Sequence, residues 1–202
     1  MYETSLYLAA LFQSPKQTIS VIPHLIPPRN ERSESKLPRN PSMHCLLISL
    51  LHQLVTSYPS QSQYYQQLDA IPKELLPAKS EVSVWLTSLT KSIRTRNYSR
   101  FTGLSQNSSV LNVLQSTSRS ELGQKAVLSL LEILKEKVTD TTWAVIRASY
   151  REFNQTSEET SSWLARSLCL ESASNWLIAR TPDGHVRPKE GVEGRWIVCK
   201  IR

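Results

Sequence analysis

The stretch that decides the fold is NWLIARTPDGHVRPKEGVEGRWIVCKI, Asn175–Ile201. Upstream of it the apolar residues recur at helical spacing; within it that period is lost. Asn175-Trp176-Leu177-Ile178-Ala179-Arg180 and Arg195-Trp196-Ile197-Val198-Cys199-Lys200-Ile201 each read as a strand, a short apolar run bounded by turn residues. Between them, Pro182-Asp183-Gly184 and the Gly191–Gly194 segment supply turn chemistry suited to a long hairpin. The chain therefore reads as mostly α with a small C-terminal β element.

The residues just before this stretch sharpen that reading. Thr142 to Phe153 is expected to be a helix with Trp143, Ile146, Tyr150 and Phe153 on one side. Asn154-Gln155 is a tight turn. Thr156, with Glu159 three residues on, has the capping-box form, in which the hydroxyl accepts an orphan N–H and the carboxylate reaches back. The helix it opens runs to about Leu170, with Trp163, Leu164 and Leu168 inward. Helix, turn, capped helix and hairpin is the order of a winged helix, with the capped helix as its recognition-type element.

Further upstream, Leu47, Leu50, Leu51, Leu54 and Tyr58 form an apolar stripe of helical period that Pro59 closes. A shorter helix holds Tyr64, Tyr65 and Leu68 and ends at the Pro72–Pro77 turn. Val82, Trp85, Leu86, Leu89 and Ile93 repeat the stripe, as do Val127, Leu130, Leu131, Leu134 and Val138. One-faced helices with short connections predict stacked helical hairpins, a helical-repeat-like array over 42–139, followed by a winged-helix subdomain over 140–202. Residues 1–41 are expected to be two short helices, 3–13 and 16–26, split by Pro15, and then a charged, proline-rich linker.

Composition narrows the function. The formal charge is +7 and the pI near 9.5, which suits a polyanionic partner as well as an ordinary basic surface. Cys45, Cys169 and Cys199 are odd in number and far apart, as expected of buried thiols in a reducing compartment rather than a disulfide framework. No run reaches the roughly 18 apolar residues of a membrane span, and Met1-Tyr2-Glu3-Thr4 lacks the basic start of a secretory signal. No nucleophile elbow, phosphate-binding loop or dinucleotide fingerprint is present, so neither an enzyme nor a cofactor or small-molecule substrate is expected. His44, Cys45 and His52 lack the remaining ligands of a metal motif, and no metal is expected.

Two basic groups are the candidate binding residues. No acid occurs between Glu81 and Glu121, and Lys91, Arg94, Arg96 and Arg100 lie in that gap. Their guanidiniums match phosphate or an acidic partner helix; equally, they suit a solvated helix end. Tyr98 and Phe101, three residues apart, read as core in preference to a base-stacking platform. The second group is the hairpin: Arg180, His185, Arg187, Lys189, Arg195, Lys200 and Arg202, interleaved with Asp183, Glu190 and Glu193. The capped helix carries Glu158, Glu159 and only Arg166, a poor set for a major groove, so it fits protein better. Trp163, Arg166 and Trp176 are the partner-interface candidates.

Asn97-Tyr98-Ser99-Arg100-Phe101-Thr102-Gly103-Leu104 resembles the Asn-Tyr-x-Arg-Phe-Phe-x-Leu signature of the GANP (germinal-centre-associated nuclear protein) family. Asn97, Tyr98, Phe101 and Leu104 are its structural residues. Val84–Ile93, Lys125–Leu130 and Ser157–Leu170 resemble flanking helices of that family. Thr102 stands for the second Phe, Arg96 for a usual Gly, and Cys169 for another usual Gly. The resemblance implies a PCI module, helical hairpins and then a winged helix. It implies a non-enzymatic scaffold subunit in nuclear mRNA export or processing, as in the TREX-two complex. Its partners would be another PCI-domain protein and a small acidic subunit, with RNA or DNA at a basic surface. Its place would be the nucleus, at the pore or in the nucleoplasm, with the cytoplasm as alternative. A stand-alone winged-helix regulator, a lid-type subunit of the proteasome, signalosome or initiation factor, and a centrosome or spindle protein are the competing readings.

Overall fold

The structure is a computed structural model that describes residues 1–26, 41–115, 120–170 and 172–200. The expected linker, apart from its last residue Pro41, and the expected strand end Ile201 with Arg202 lie outside these residues. The elements are α1 (Tyr2–Leu11), α2 (Pro15–Leu25), α3 (Met43–Ser57), α4 (Ser62–Ala70), α5 (Glu81–Arg94), α6 (Tyr98–Leu104), α7 (Asn107–Gln115), α8 (Glu121–Ser149), β1 (Glu152–Asn154), α9 (Glu158–Ser167), α10 (Ala173–Ala179), β2 (Val186–Pro188) and β3 (Arg195–Val198). The chain is mostly helical, with one three-stranded antiparallel sheet, and it divides into two compact units.

The first unit comprises Met1–Lys91 and Gly103–Leu134. Its axis is α3, against which α1, α2 and α4 pack. Leu46, Leu47, Ile48, Leu50, Leu51 and Leu54 are all buried, so α3 is covered on nearly every side and not only along the expected stripe. Pro15 does not interrupt a helix but starts α2, at a position whose N–H would have no helical acceptor anyway. Ser42 precedes α3; its N–H donates to Glu3 Oε1 at 3.0 Å and its hydroxyl lies 2.8 Å from that of Tyr7. Cys45 is buried beside them, and desolvation pushes its thiol up to about 11. His44 is fully buried against Gly123 of α8, where a Cβ would come within 2.8 Å of the imidazole Cγ. Only glycine lets the two helices meet at that ring.

The second unit comprises Ser92–Thr102 and the chain from Lys135 onward. Its core is Trp143, Ile146, Phe153, Leu164, Ala165, Leu168, Ala173, Leu177, Val186 and Val198. The sheet order is β1-β3-β2, with Phe153 opposite Trp196 and Arg187 opposite Ile197.

Three expectations are corrected here. The stripe Val127–Val138 and the residues Trp143 and Ile146 lie on one continuous helix, α8, while Tyr150 follows its end and Phe153 is on β1. The polar run Thr139–Thr142 does not break α8; the hydroxyls of Thr141 and Thr142 bond back to the carbonyls of Lys137 and Val138 within the helix. Residues 175–180 are not a strand: α10 covers 175–179 and Arg180 caps its end; the helix is opened by Ser172, whose hydroxyl accepts from the Ser174 N–H. The hairpin is β2–β3. The cap of α9 is Ser157 rather than Thr156, its oxygen accepting from the Thr160 N–H. Thr156 instead donates its hydroxyl to Asn154 Oδ1 at 2.6 Å.

Candidate binding surface

The segment Ser92–Thr102 is shaped by one chain reversal. At the end of α5 the Asn97 N–H returns to the Ser92 carbonyl at 2.8 Å and the Arg96 N–H to that of Ile93 at 3.1 Å. This is a Schellman closure, and Arg96 takes the left-handed conformation it requires, at φ 53°. Asn97 Oδ1 then accepts the Arg100 N–H at 3.1 Å and opens α6. Phe101 is fully buried and Tyr98 half-buried, while Lys91, Arg94, Arg96, Asn97 and Arg100 are exposed. Arg100 is thus a surface residue and not a buried structural arginine. Among the described residues no carboxylate pairs with Arg94, Arg96 or Arg100. Leu104 is half-buried in the first unit, and its carbonyl accepts the Trp85 indole N–H at 3.0 Å.

The same closure ends α9. The Leu170 N–H bonds the Ala165 carbonyl at 2.9 Å, and Cys169 sits at φ 57°. Cys169 is half-buried; desolvation raises its thiol, opposed by a hydrogen bond with Thr102. A side chain with a Cβ is strained in this region, by roughly 1–2 kcal/mol. Arg96→Gly is therefore expected to stabilise the fold by about 0.5–1 kcal/mol, net of glycine's greater unfolded-chain entropy. A urea melt that shows no gain would put the Arg96 conformation in doubt.

The hairpin cations are used differently. Glu152 of β1 holds Lys189 at 2.9 Å and Arg195 at 3.1 Å, and Lys189 foremost keeps its carboxyl below the ordinary range. Arg180 reaches Asp140 at 3.2 Å and Asp183 at 3.6 Å, and its guanidinium lies 5.0 Å over the Trp176 ring. These three expected binding residues are internally neutralised. Arg187 and Lys200 are exposed, with no acid partner among the described residues.

Trp176 is half-buried, edge-on to Trp143 at 4.6 Å and covered by Arg180. Arg166 is exposed, its Nε donating to the Ser162 carbonyl. Trp163 is half-buried among the rings of Tyr150 and Phe153. The sequence reading missed two residues. Ile178 is 58% exposed on α10; it was expected in a strand. Arg147, buried, donates Nε and Nη2 to the Cys199 carbonyl at 3.2 and 2.9 Å. Its position four residues after Trp143 on the inward face of α8 was the available signal. Beside it the Trp143 indole donates to His185 Nδ1 at 3.2 Å. Desolvation, and then the Arg147 charge, lower the His185 imidazole.

Among the described residues no group of three or more His, Cys, Asp or Glu side chains is placed to hold a metal. No described helix is long and apolar enough to cross a membrane. No protein-family model matches the chain, and no curated protein matches it. What the arrangement offers chemically is contact: guanidiniums on the Ser92–Thr102 segment with no acid partner among the described residues, and an uncharged face on α10.

Proposed function

We propose that the second unit is a winged helix and that the chain is a PCI-type, non-enzymatic scaffold subunit of a nuclear mRNA-export or processing complex of the TREX-two kind. The observation that carries this reading is the order helix, strand, helix, helix, strand, strand, with the sheet ordered β1-β3-β2. In that order α10, not α9, takes the recognition position. The backbone lends further support: Arg96 and Cys169, which stand where the GANP family carries glycine, both adopt the left-handed conformation that favours glycine.

The chemistry of α10 favours protein over DNA. It exposes Asn175, Ile178 and Ala179, and the cation that follows it, Arg180, is held by two acids. A phosphate-tracking helix needs free cations, whereas a subunit interface needs an uncharged centre. The second unit would accordingly pair with another PCI protein, alongside a small acidic subunit. Arg94, Arg96 and Arg100, with Arg187 and Lys200, would serve RNA or DNA.

Affinity purification from the protein's own cells tests the reading. A second PCI subunit and a small acidic protein are the expected yield, lost with Ile178→Glu. Arg94→Glu with Arg96→Glu is expected to leave the melting temperature near wild type, keep the PCI subunit and weaken RNA binding about tenfold or more at low salt. Recovery of proteasome, signalosome or initiation-factor subunits instead would sink the proposal.

A further inference from the structure

We infer that a pocket at the end of α8, beside β1 and α9, receives an arginine side chain of a partner protein. The pocket is shallow and open, measures about 320 Å³, and is lined by Tyr150, Phe153 and Trp163 and by Glu152 and Glu159; no lysine, arginine or histidine lines it. The rings form a continuous floor. Tyr150 lies 5.2 Å from Trp163 and 5.5 Å from Phe153, and Phe153 lies 6.3 Å from Trp163. Phe153 is buried beneath, while Tyr150 is 44% exposed. The exposed Tyr150 ring and the half-buried Trp163 ring border the opening, and aromatic π-systems attract a cation.

The rim selects the ligand further. Glu152 already holds Lys189 and Arg195. Glu159 is exposed and has no cation partner among the described residues. A guanidinium suits a site that joins a ring floor to one open carboxylate: it is planar, weakly hydrated, stacks on aromatic faces and donates two parallel N–H bonds. An ammonium can do only part of this. A nucleobase would also stack on these rings, but its phosphates would approach Glu159 and the neighbouring exposed Glu158. Charge therefore favours peptide over nucleic acid. The site lies wholly in the second unit and does not depend on the scaffold reading.

The test is a titration of the full chain, with its tryptophan indoles labelled for NMR. The probe is a glycine-serine dodecapeptide bearing one central arginine. The same peptide with citrulline or lysine, and an oligouridylate, are the comparisons. The Trp163 indole is expected to shift saturably with the arginine peptide, about tenfold more tightly than with citrulline. Tyr150→Ala should abolish most of that binding. Glu159→Gln, on an exposed side chain with no ion-pair partner among the described residues, should weaken it about threefold with little change in melting. Equal binding of citrulline, or no shift of Trp163 by the arginine peptide, would overturn the inference. So would oligouridylate binding that strengthens in Glu159→Gln, which would make the rings a base-stacking surface.

Discussion

Phe101→Ala is expected to cost about 3–5 kcal/mol of stability. The ring is fully buried, and it belongs to the second unit through the short segment Ser92–Thr102. Truncation removes its transfer energy and leaves a cavity that α6 can close only by shifting, yet α6 is fixed at its start by the Asn97 cap. A loss of that size is a large fraction of the 5–15 kcal/mol typical of a domain. Tyr98→Ala should cost visibly less, because that ring is only half-buried. Chemical denaturation of both variants reads this out directly. Equal losses at the two positions would contradict the division of the motif into one core ring and one peripheral ring.

The second large effect is acid instability of the first unit. His44 is fully buried and His52 nearly so; among the described residues neither ring nitrogen of His44, nor Nε2 of His52, has a hydrogen-bond partner. Desolvation lowers both imidazoles from 6.5; for His44 the Glu3 carboxylate opposes it. Because the folded values lie below the unfolded one, the unfolded chain takes up protons first. Stability is complete above about 6.5 and falls as the pH drops below it, until the folded values are reached. Each histidine removes up to about 1.4 kcal/mol per pH unit in that window, so the pair removes up to roughly 3. Urea melts at pH 7.5 and pH 5.5 should differ accordingly. The difference should shrink in His44→Leu with His52→Leu, even though that variant is differently packed. An unchanged pH dependence in the double variant would show that other groups carry it.

The helices were legible because burial on one side forces the 3.6-residue period that Val82–Ile93 and Val127–Val138 display. Much of what escaped was decided by contacts far away in sequence. The run Trp176-Leu177-Ile178 fits strand and helix alike, and it is settled by the Ser172 cap and by Trp143 across the core. The three-residue β1 exists only because β3, some 40 residues later, pairs with it. The candidate site divides in the same way. The absence of acids near Arg94, Arg96 and Arg100 is a local fact, and those residues are indeed exposed. Lys189 and Arg195 are held by Glu152, and Arg180 by Asp140 as well as by the nearby Asp183; Asp140 and Glu152 lie about 40 residues from their cations. Of these acids the neighbouring sequence offers only Asp183.

Glu152 has an evolutionary consequence. One carboxylate restrains two cations at an exposed position, and exposed ion pairs contribute little to stability. Glutamate codons become lysine codons by a single nucleotide change. Such a change would add a cation and release Lys189 and Arg195 together, without disturbing a core residue. The attraction of this face for polyanions is thus adjustable in one mutational step, on a scaffold whose folding barely registers it.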